Sequence, residues 1–203
     1  MTPMGYALLA VAGGLVWRNG PDLPIPVGGH AAGVVDGRIL VAGGTTWGNG
    51  KKRWLSDAWA LDPKKGEWRR VGDLPEAMGY PVGLALPDGL ALLGGDDGKS
   101  AFTACRRLSL DEGRLVTDDL PPLPEPRTLA AGARVDRTLY VVGGCSDPTS
   151  VRSAANTLFA LDLGRTARGW KALAPLPGPA RCVHAAVECG GALYVFGGYR
   201  VRE

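Results

Sequence analysis

Residues 30–44 read HAAGVVDGRILVAGG: two apolar runs joined by Asp36-Gly37 and closed by Gly43-Gly44. An Asp-Gly pair between apolar runs is a strong short-range signal for a two-stranded hairpin, because its turn needs residues that tolerate positive φ. Beyond the double glycine lies a polar loop. A third run, Ala58 to Asp62, follows it, then a turn, then a fourth run headed by Trp68, and the stretch closes at Leu74-Pro75. Four short strands in about fifty residues, the first two the most apolar, describe one small antiparallel sheet.

The stretch recurs. Double glycines stand at 43–44, 94–95, 143–144 and 197–198, with spacings of 51, 49 and 54 residues. Leu129 to Val135 and Thr138 to Val142 flank a turn near Asp136-Arg137, and Val183 to Val187 and Ala192 to Phe196 flank Gly190-Gly191. In the second unit, Val82 to Leu86 and Leu90 to Leu93 flank Pro87-Asp88-Gly89, which keeps the proline out of a strand. Third strands end in Leu-Asp steps at 61–62, 110–111 and 161–162, and fourth strands are headed by Trp68 and Trp170, with Leu115 and Val116 in that place in the second unit. A period near fifty residues predicts sheets arranged as blades around an axis. Double glycines suit the crowded inner end, and tryptophans fill the wider space between blades at the rim.

Residues 1–203 read as one all-β propeller domain of about four blades, each of four antiparallel strands, with complete blades at about 27–75, 79–121 and 127–177. The fourth unit has only its first two strands, at 181–198. Trp17 to Pro24 aligns with Trp68 to Pro75 if one residue is skipped, so residues 1–24 are expected to supply strands three and four of that last blade and close the ring. The alternative is an incomplete piece of a larger ring, completed by further sequence or by a second copy.

The 23 basic and 20 acidic residues, net +3, are too dispersed for a nucleic-acid footprint. Tyr6 to Trp17 is an uncharged run of 12 residues, too short to span a bilayer and without a basic stretch before it. Cys105, Cys145, Cys182 and Cys189 show no CxxC spacing; they read as free buried thiols, with pairing across strands as the alternative. Two histidines in separate strands give no metal-ligand spacing, and no nucleotide loop or Ser-His-Asp arrangement is present, so neither cofactor nor metal is expected. Cys145 follows a double glycine, but the Tyr and His ligands of a copper centre are not in evidence beside it.

The repeat is similar to that of the kelch proteins. Gly50 to Asp57, Ala77-Met-Gly-Tyr-Pro81, Ala154 to Asp162 and Pro177-Gly-Pro-Ala-Arg181 resemble the N-acetylneuraminate epimerase (sialic acid mutarotase) group and its circularly permuted relatives. That resemblance implies an isomerase that interconverts anomers of N-acetylneuraminate or a related acidic sugar, a six-bladed ring, and a periplasmic or secreted location. The chain departs from it by being two blades short. It also has no glutamate directly after any double glycine, where the family's proton-transfer residue is expected.

In a propeller, the linker into strand one and the loop between strands two and three open on the same face. His30, Tyr80, Arg127 and Arg181, one from each unit, are expected to ring its mouth, with Lys51, Lys52, Trp54, Asp96, Asp97, Glu76 and Glu125 as neighbours. Arg127 or Arg181 suits a carboxylate, Lys51 and Lys52 add charge, and Trp54 and Tyr80 offer flat surfaces to a pyranose. Mutarotation needs one group to protonate the ring oxygen while another removes the anomeric proton; Glu125, Asp97 and His30 are the expected catalytic choices. Arg127 and Arg181 are equally open to a structural role tying blades together, Lys51 and Lys52 to being a solvated loop, and His184 reads as an interior histidine. The expected partner is a small acidic sugar or glycan, bound by a monomer or, if the ring is incomplete, a dimer. The alternative function is a non-catalytic module that binds a protein or glycan at the rim, because the fold does not dictate chemistry.

Overall fold

The computed structural model describes residues 6–11 and 14–200. It is an all-β arrangement of antiparallel sheets packed as successive blades. The strands are β1 (Tyr6–Val11), β2 (Gly14–Asn19), β3 (Ala31–Val35), β4 (Arg38–Ala42), β5 (Thr45–Gly48), β6 (Lys51–Trp54), β7 (Asp57–Asp62), β8 (Glu67–Asp73) and β9 (Val82–Leu86). They continue with β10 (Gly89–Leu93), β11 (Cys105–Asp111), β12 (Arg114–Leu120), β13 (Ala131–Val135), β14 (Thr138–Val142), β15 (Leu158–Asp162), β16 (Lys171–Leu173), β17 (Ala185–Cys189) and β18 (Ala192–Phe196). Three four-stranded sheets, β3-β4-β7-β8, β9-β10-β11-β12 and β13-β14-β15-β16, are the first, second and third blades, and β17-β18 is a two-stranded sheet after them.

Alternation along β10 explains how the blades hold together. Leu90 and Leu92 point to the first blade and pack with Leu40, Ala58 and Ala60. Ala91 and Leu93 point to the third and pack with Leu139, Val141, Phe159 and Leu161. All five residues of β10 are buried, as a strand covered on both faces requires. Gly89 pairs with Leu86 and belongs to β10, so the turn expected at Pro87-Asp88-Gly89 is the two residues Pro87-Asp88.

The double glycines dock each blade on the next. Gly44 N donates to Met78 O at 2.7 Å, Gly95 N to Arg127 O at 2.8 Å and Gly144 N to Arg181 O at 2.9 Å. The first glycine of each pair lies in the left-handed region, at φ +63, +65 and +62 for Gly43, Gly94 and Gly143. A Cβ would meet Met78 O at 2.8 Å from Gly43 and Arg181 O at 2.7 Å from Gly143. Backbone conformation and proximity therefore both select glycine.

The rim tryptophans follow the same logic. Trp170 Nε1 donates to Pro121 O at 2.7 Å, in the linker leaving the second blade, and Trp68 Nε1 donates to Pro21 O at 3.1 Å. Residue 21 thus stands to β2 as residue 121 stands to β12, which puts β1-β2 in the place of the third and fourth strands of a blade before the first. Among the described residues, β1-β2 and β17-β18, the two parts expected to pair across residues 1–24 and 181–198, are two two-stranded sheets. The Trp68 bond holds the linker after β2 against the first blade, whereas β17 packs on β13 of the third. Residues 1–5 and 12–13 of that expected half-blade lie outside the described residues.

Candidate functional site

A chain of backbone hydrogen bonds runs along the inner ends of the blades. Tyr80 N donates to Gly29 O at 2.7 Å, Leu129 N to Tyr80 O at 3.3 Å and Val183 N to Leu129 O at 2.9 Å. All four residues have positive φ, at 64, 56, 55 and 54 for Gly29, Tyr80, Leu129 and Val183. They are the true equivalents at the inner ring, and only Tyr80 brings a polar side chain there. The expectation that His30, Tyr80, Arg127 and Arg181 are equivalent is corrected accordingly: Arg127 and Arg181 share a position with Met78, two residues earlier, and His30 falls one residue later.

The loop after Gly43-Gly44 is a second hairpin, β5-β6, where the sequence reading has only a polar loop. Its turn is Asn49-Gly50, at φ 51 and 73, so the signal was an Asn-Gly dipeptide. Strand alternation then sends Lys51 and Arg53 to solvent and turns Lys52 and Trp54 toward the second blade. Lys52 Nζ donates to Tyr80 Oη at 2.7 Å and sits 4.6 Å from the Tyr80 ring centroid and 4.8 Å from that of Trp54. Thr45 Oγ1 lies 3.4 Å from the same phenol oxygen. Burial on its own raises the Tyr80 pKa, but the hydrogen bonds from Lys52 and Thr45 and the charge of Lys52 outweigh it, leaving the phenol more acidic than an ordinary tyrosine.

Asp96 supports this cluster from beneath. It directly follows Gly94-Gly95 and is 2% exposed. Its carboxylate accepts from Trp54 Nε1 at 2.9 Å, from Gly98 N at 2.8 Å and from Thr128 Oγ1. One buried carboxylate thus ties loops of three blades together and fixes the Trp54 ring. In the sequence Asp96 stands out only as a neighbour of the expected mouth, and Thr45 and Thr128 do not stand out at all. No local pattern marks them, since their partners lie 32 to 42 residues away.

The remaining expected residues lie apart from the cluster or at its edge. Arg127 is 2% exposed, with Nη1 donating to Pro126 O at 2.7 Å, Nη2 to Thr157 Oγ1 at 2.9 Å and to Glu125, and its guanidinium 5.6 Å from the Phe159 ring centroid. That is a blade-tying arginine with Glu125 as its counter-ion. Arg181 is half-buried and donates to Gly197 O at 3.2 Å, within its own hairpin unit. Asp97 accepts from the backbone of Lys99 and Ser100, both at 2.8 Å; the Ser100 bond and then the Lys99 bond hold its pKa below the ordinary value. A rim cleft of about 720 Å³ is lined by Asp97, Phe102, Pro126 and the Glu76–Arg106 pair. His30 follows Gly29, against whose backbone the Tyr80 ring packs; its imidazole is open to solvent on one side, and packing on the other disfavours the protonated form. His184 Nε2 bonds Val142 O at 3.0 Å and is partly buried between blades. Among the described residues no three His, Cys, Asp or Glu side chains gather into a metal site, and no helix is long and apolar enough to cross a membrane.

The Kelch motif family matches residues 26–75, the span of the first blade. The N-acetylneuraminate epimerase of Haemophilus influenzae (strain PittEE) is 32% identical over an alignment of 128 residues that covers 53% of this chain and 34% of that protein. N-acetylneuraminate epimerase 1 of Escherichia coli O6:H1 is 35% identical over an alignment of 101 residues that covers 41% of this chain and 27% of that protein. The chain is a kelch-repeat homologue of the N-acetylneuraminate epimerases. It spans about a third of the length of the Haemophilus relative. The solved structure of YjhT superposes with a TM-score of 0.81 at 17% identity, over 95% of this chain and 66% of that one, which shows the propeller fold. A serine/threonine-protein phosphatase of Arabidopsis thaliana is 32% identical over 90% of this kelch chain, yet the match is 20% of that protein.

Proposed function

We propose that this kelch propeller is a sugar isomerase that interconverts anomers of N-acetylneuraminate or a related acidic sugar, with the reaction centred on Lys52, Tyr80 and Trp54. The observation that carries the reading is the 2.7 Å Lys52–Tyr80 bond at the inner ring of a chain homologous to N-acetylneuraminate epimerases. One Lys52 N–H is used on Tyr80, which leaves donors for a substrate carboxylate, and the Trp54 face suits a pyranose. Tyr80, made more acidic by Lys52, protonates the ring oxygen; His30, whose protonated form packing disfavours, takes the anomeric proton. Ring opening, rotation and reclosure then proceed with no net proton consumed. Asp97 in the rim cleft and Glu125 stand as alternative acids, and Arg181 as a second carboxylate contact.

Proton NMR of freshly dissolved N-acetylneuraminate, with protein far below the sugar concentration, tests this. Anomeric equilibrium is expected sooner with the chain present, and Tyr80→Phe is expected to slow it by about 100-fold, the ordinary worth of a general acid. An approach to equilibrium that matches buffer alone defeats the reading. A second reading, a binding module without chemistry, is favoured by the phosphatase match, in which the matching segment is 20% of a larger protein. For that module, N-acetylneuraminate binds or is ignored without any change in anomer exchange.

We also propose that the two half-blades complete one another in the assembled protein, since β1-β2 stands as third and fourth strands and β17-β18 as first and second. Pairing within one chain gives a monomeric four-bladed ring, and pairing between chains gives a closed dimer. Sedimentation velocity separates these, and a monomer in which Trp17 and Tyr194 remain freely quenchable by acrylamide contradicts both.

A further inference from the structure

We propose that Cys145 and Cys182 form a disulfide that staples the hairpin β17-β18 to the third blade when the chain meets a disulfide oxidant. Repeat geometry places the two together. The residue after each double glycine forms a bridge with the residue just before the inner-ring position: Thr45 with Gly28, Asp96 with Gly79, Cys145 with Thr128 and Tyr199 with Cys182. At each blade junction, the first kind of residue then meets the second kind from the following blade. At the first junction a Cβ on Gly79 would meet Thr45 Cγ2 at 2.8 Å. At the second, Thr128 Oγ1 donates to Asp96. The third junction places Cys182 on Cys145.

Three further observations agree. Cys145 and Cys182 are 1% and 0% exposed, although β17 and β18 around them are largely open. The residues just before them are joined by the Gly144 N to Arg181 O bond of 2.9 Å, which holds the two backbones side by side. Burial pushes the Cys145 thiol up to about 12, and the adjacent Cys182 thiol is the next largest cause, ahead of the opposing effects of Ser153 and Arg127. A Cys145 thiol held protonated by burial attacks slowly, so exchange proceeds through local opening of this junction.

The chemistry is thiol–disulfide exchange. One cysteine loses its proton and attacks a sulfur of a small-molecule disulfide such as oxidised glutathione, releasing one glutathione thiolate and forming a mixed disulfide. The second cysteine loses its proton, attacks the protein sulfur of that mixed disulfide and releases the second glutathione. The two protein thiols are oxidised and the glutathione disulfide is reduced to two thiols.

The test uses the full chain with exposed Cys189 changed to Ser, treated with oxidised glutathione and then alkylated under denaturing conditions. Intact mass is expected to show a single alkyl group, at Cys105, together with the loss of two hydrogens, and digestion is expected to yield one cross-linked species containing Cys145 and Cys182. Hydrogen exchange of β17-β18 is expected to slow on the order of tenfold, with the thermal midpoint rising by about 5 °C. A glutathione adduct at either cysteine without the cross-link, full alkylation of both, or a cross-link that leaves β17-β18 exchange unchanged overturns the proposal. Cys145→Ser and Cys182→Ser each abolish the mass loss if the pairing is right, and retention of it in either variant also overturns it. None of these readouts depends on sugar chemistry.

Discussion

Lys52 governs the acidity of Tyr80. Replacing it with methionine keeps most of the stem but removes the donor and the charge, so burial, the largest single influence on the phenol, is opposed only by the Thr45 hydrogen bond. Ultraviolet difference titration of tyrosinate is expected to show one tyrosine moving to higher pH in Lys52→Met, and superimposable curves for the two proteins contradict the assignment. That Lys52, Tyr80 and Trp54 lie on one face was legible in the sequence, because the repeat assigns each of their loops or linkers to that face. The contacts of Arg127 and Glu125 were not. A charged pair beside an inner strand reads the same whether it faces open space or packed strands, and only tertiary structure shows Arg127 against Thr157 and Phe159 of the third blade. Asp96 was hidden for a related reason: burial of a carboxylate depends on three donors brought from separate loops.

At the scale of the strand and turn, the blades rest on glycines of two kinds. Gly94 combines φ +65 with a backbone carbonyl, Arg127 O, where a Cβ would go, whereas Gly66 has φ +68 with open space around it. Gly66→Ala is expected to lose about 1 kcal/mol, the cost of an L-residue in the left-handed region. Gly94→Ala adds displacement of the junction with the third blade and is expected to lose about 3 kcal/mol or more. Urea unfolding midpoints of the two variants measure the difference, and equal losses mean the junction yields freely. The main strand hairpins were read from local patterns, in which turn dipeptides and alternation leave little choice. The β5-β6 hairpin escaped because its strands are polar, even though Asn49-Gly50 announces its turn.

Across the whole molecule, protection is graded along the arc of blades. β10 is covered on both faces, while most residues of β17 and β18 are exposed, including Val187, Tyr194 and Phe196 at 51%, 48% and 59%. Joining of the half-blades covers that face, so under reducing conditions amides of β17 are expected to exchange with solvent deuterium within about tenfold of those of β10. Exchange at least about 100-fold faster in β17 contradicts the joining and leaves the terminal face uncovered in solution.

Repetition at about fifty residues, with glycine pairs and rim tryptophans at set places, was enough by itself to determine the main strands, their turns and an all-β propeller-like arrangement, because those follow from period, turn conformation and side-chain size within one unit. Which polar side chains meet was decided only by tertiary structure. Lys52 with Tyr80, Trp54 with Asp96, and Cys145 beside Cys182 all lie across junctions between blades. A junction depends on how two units are turned against each other, and a shift of two residues in the apparent alignment separates an arginine at the mouth from one buried between sheets.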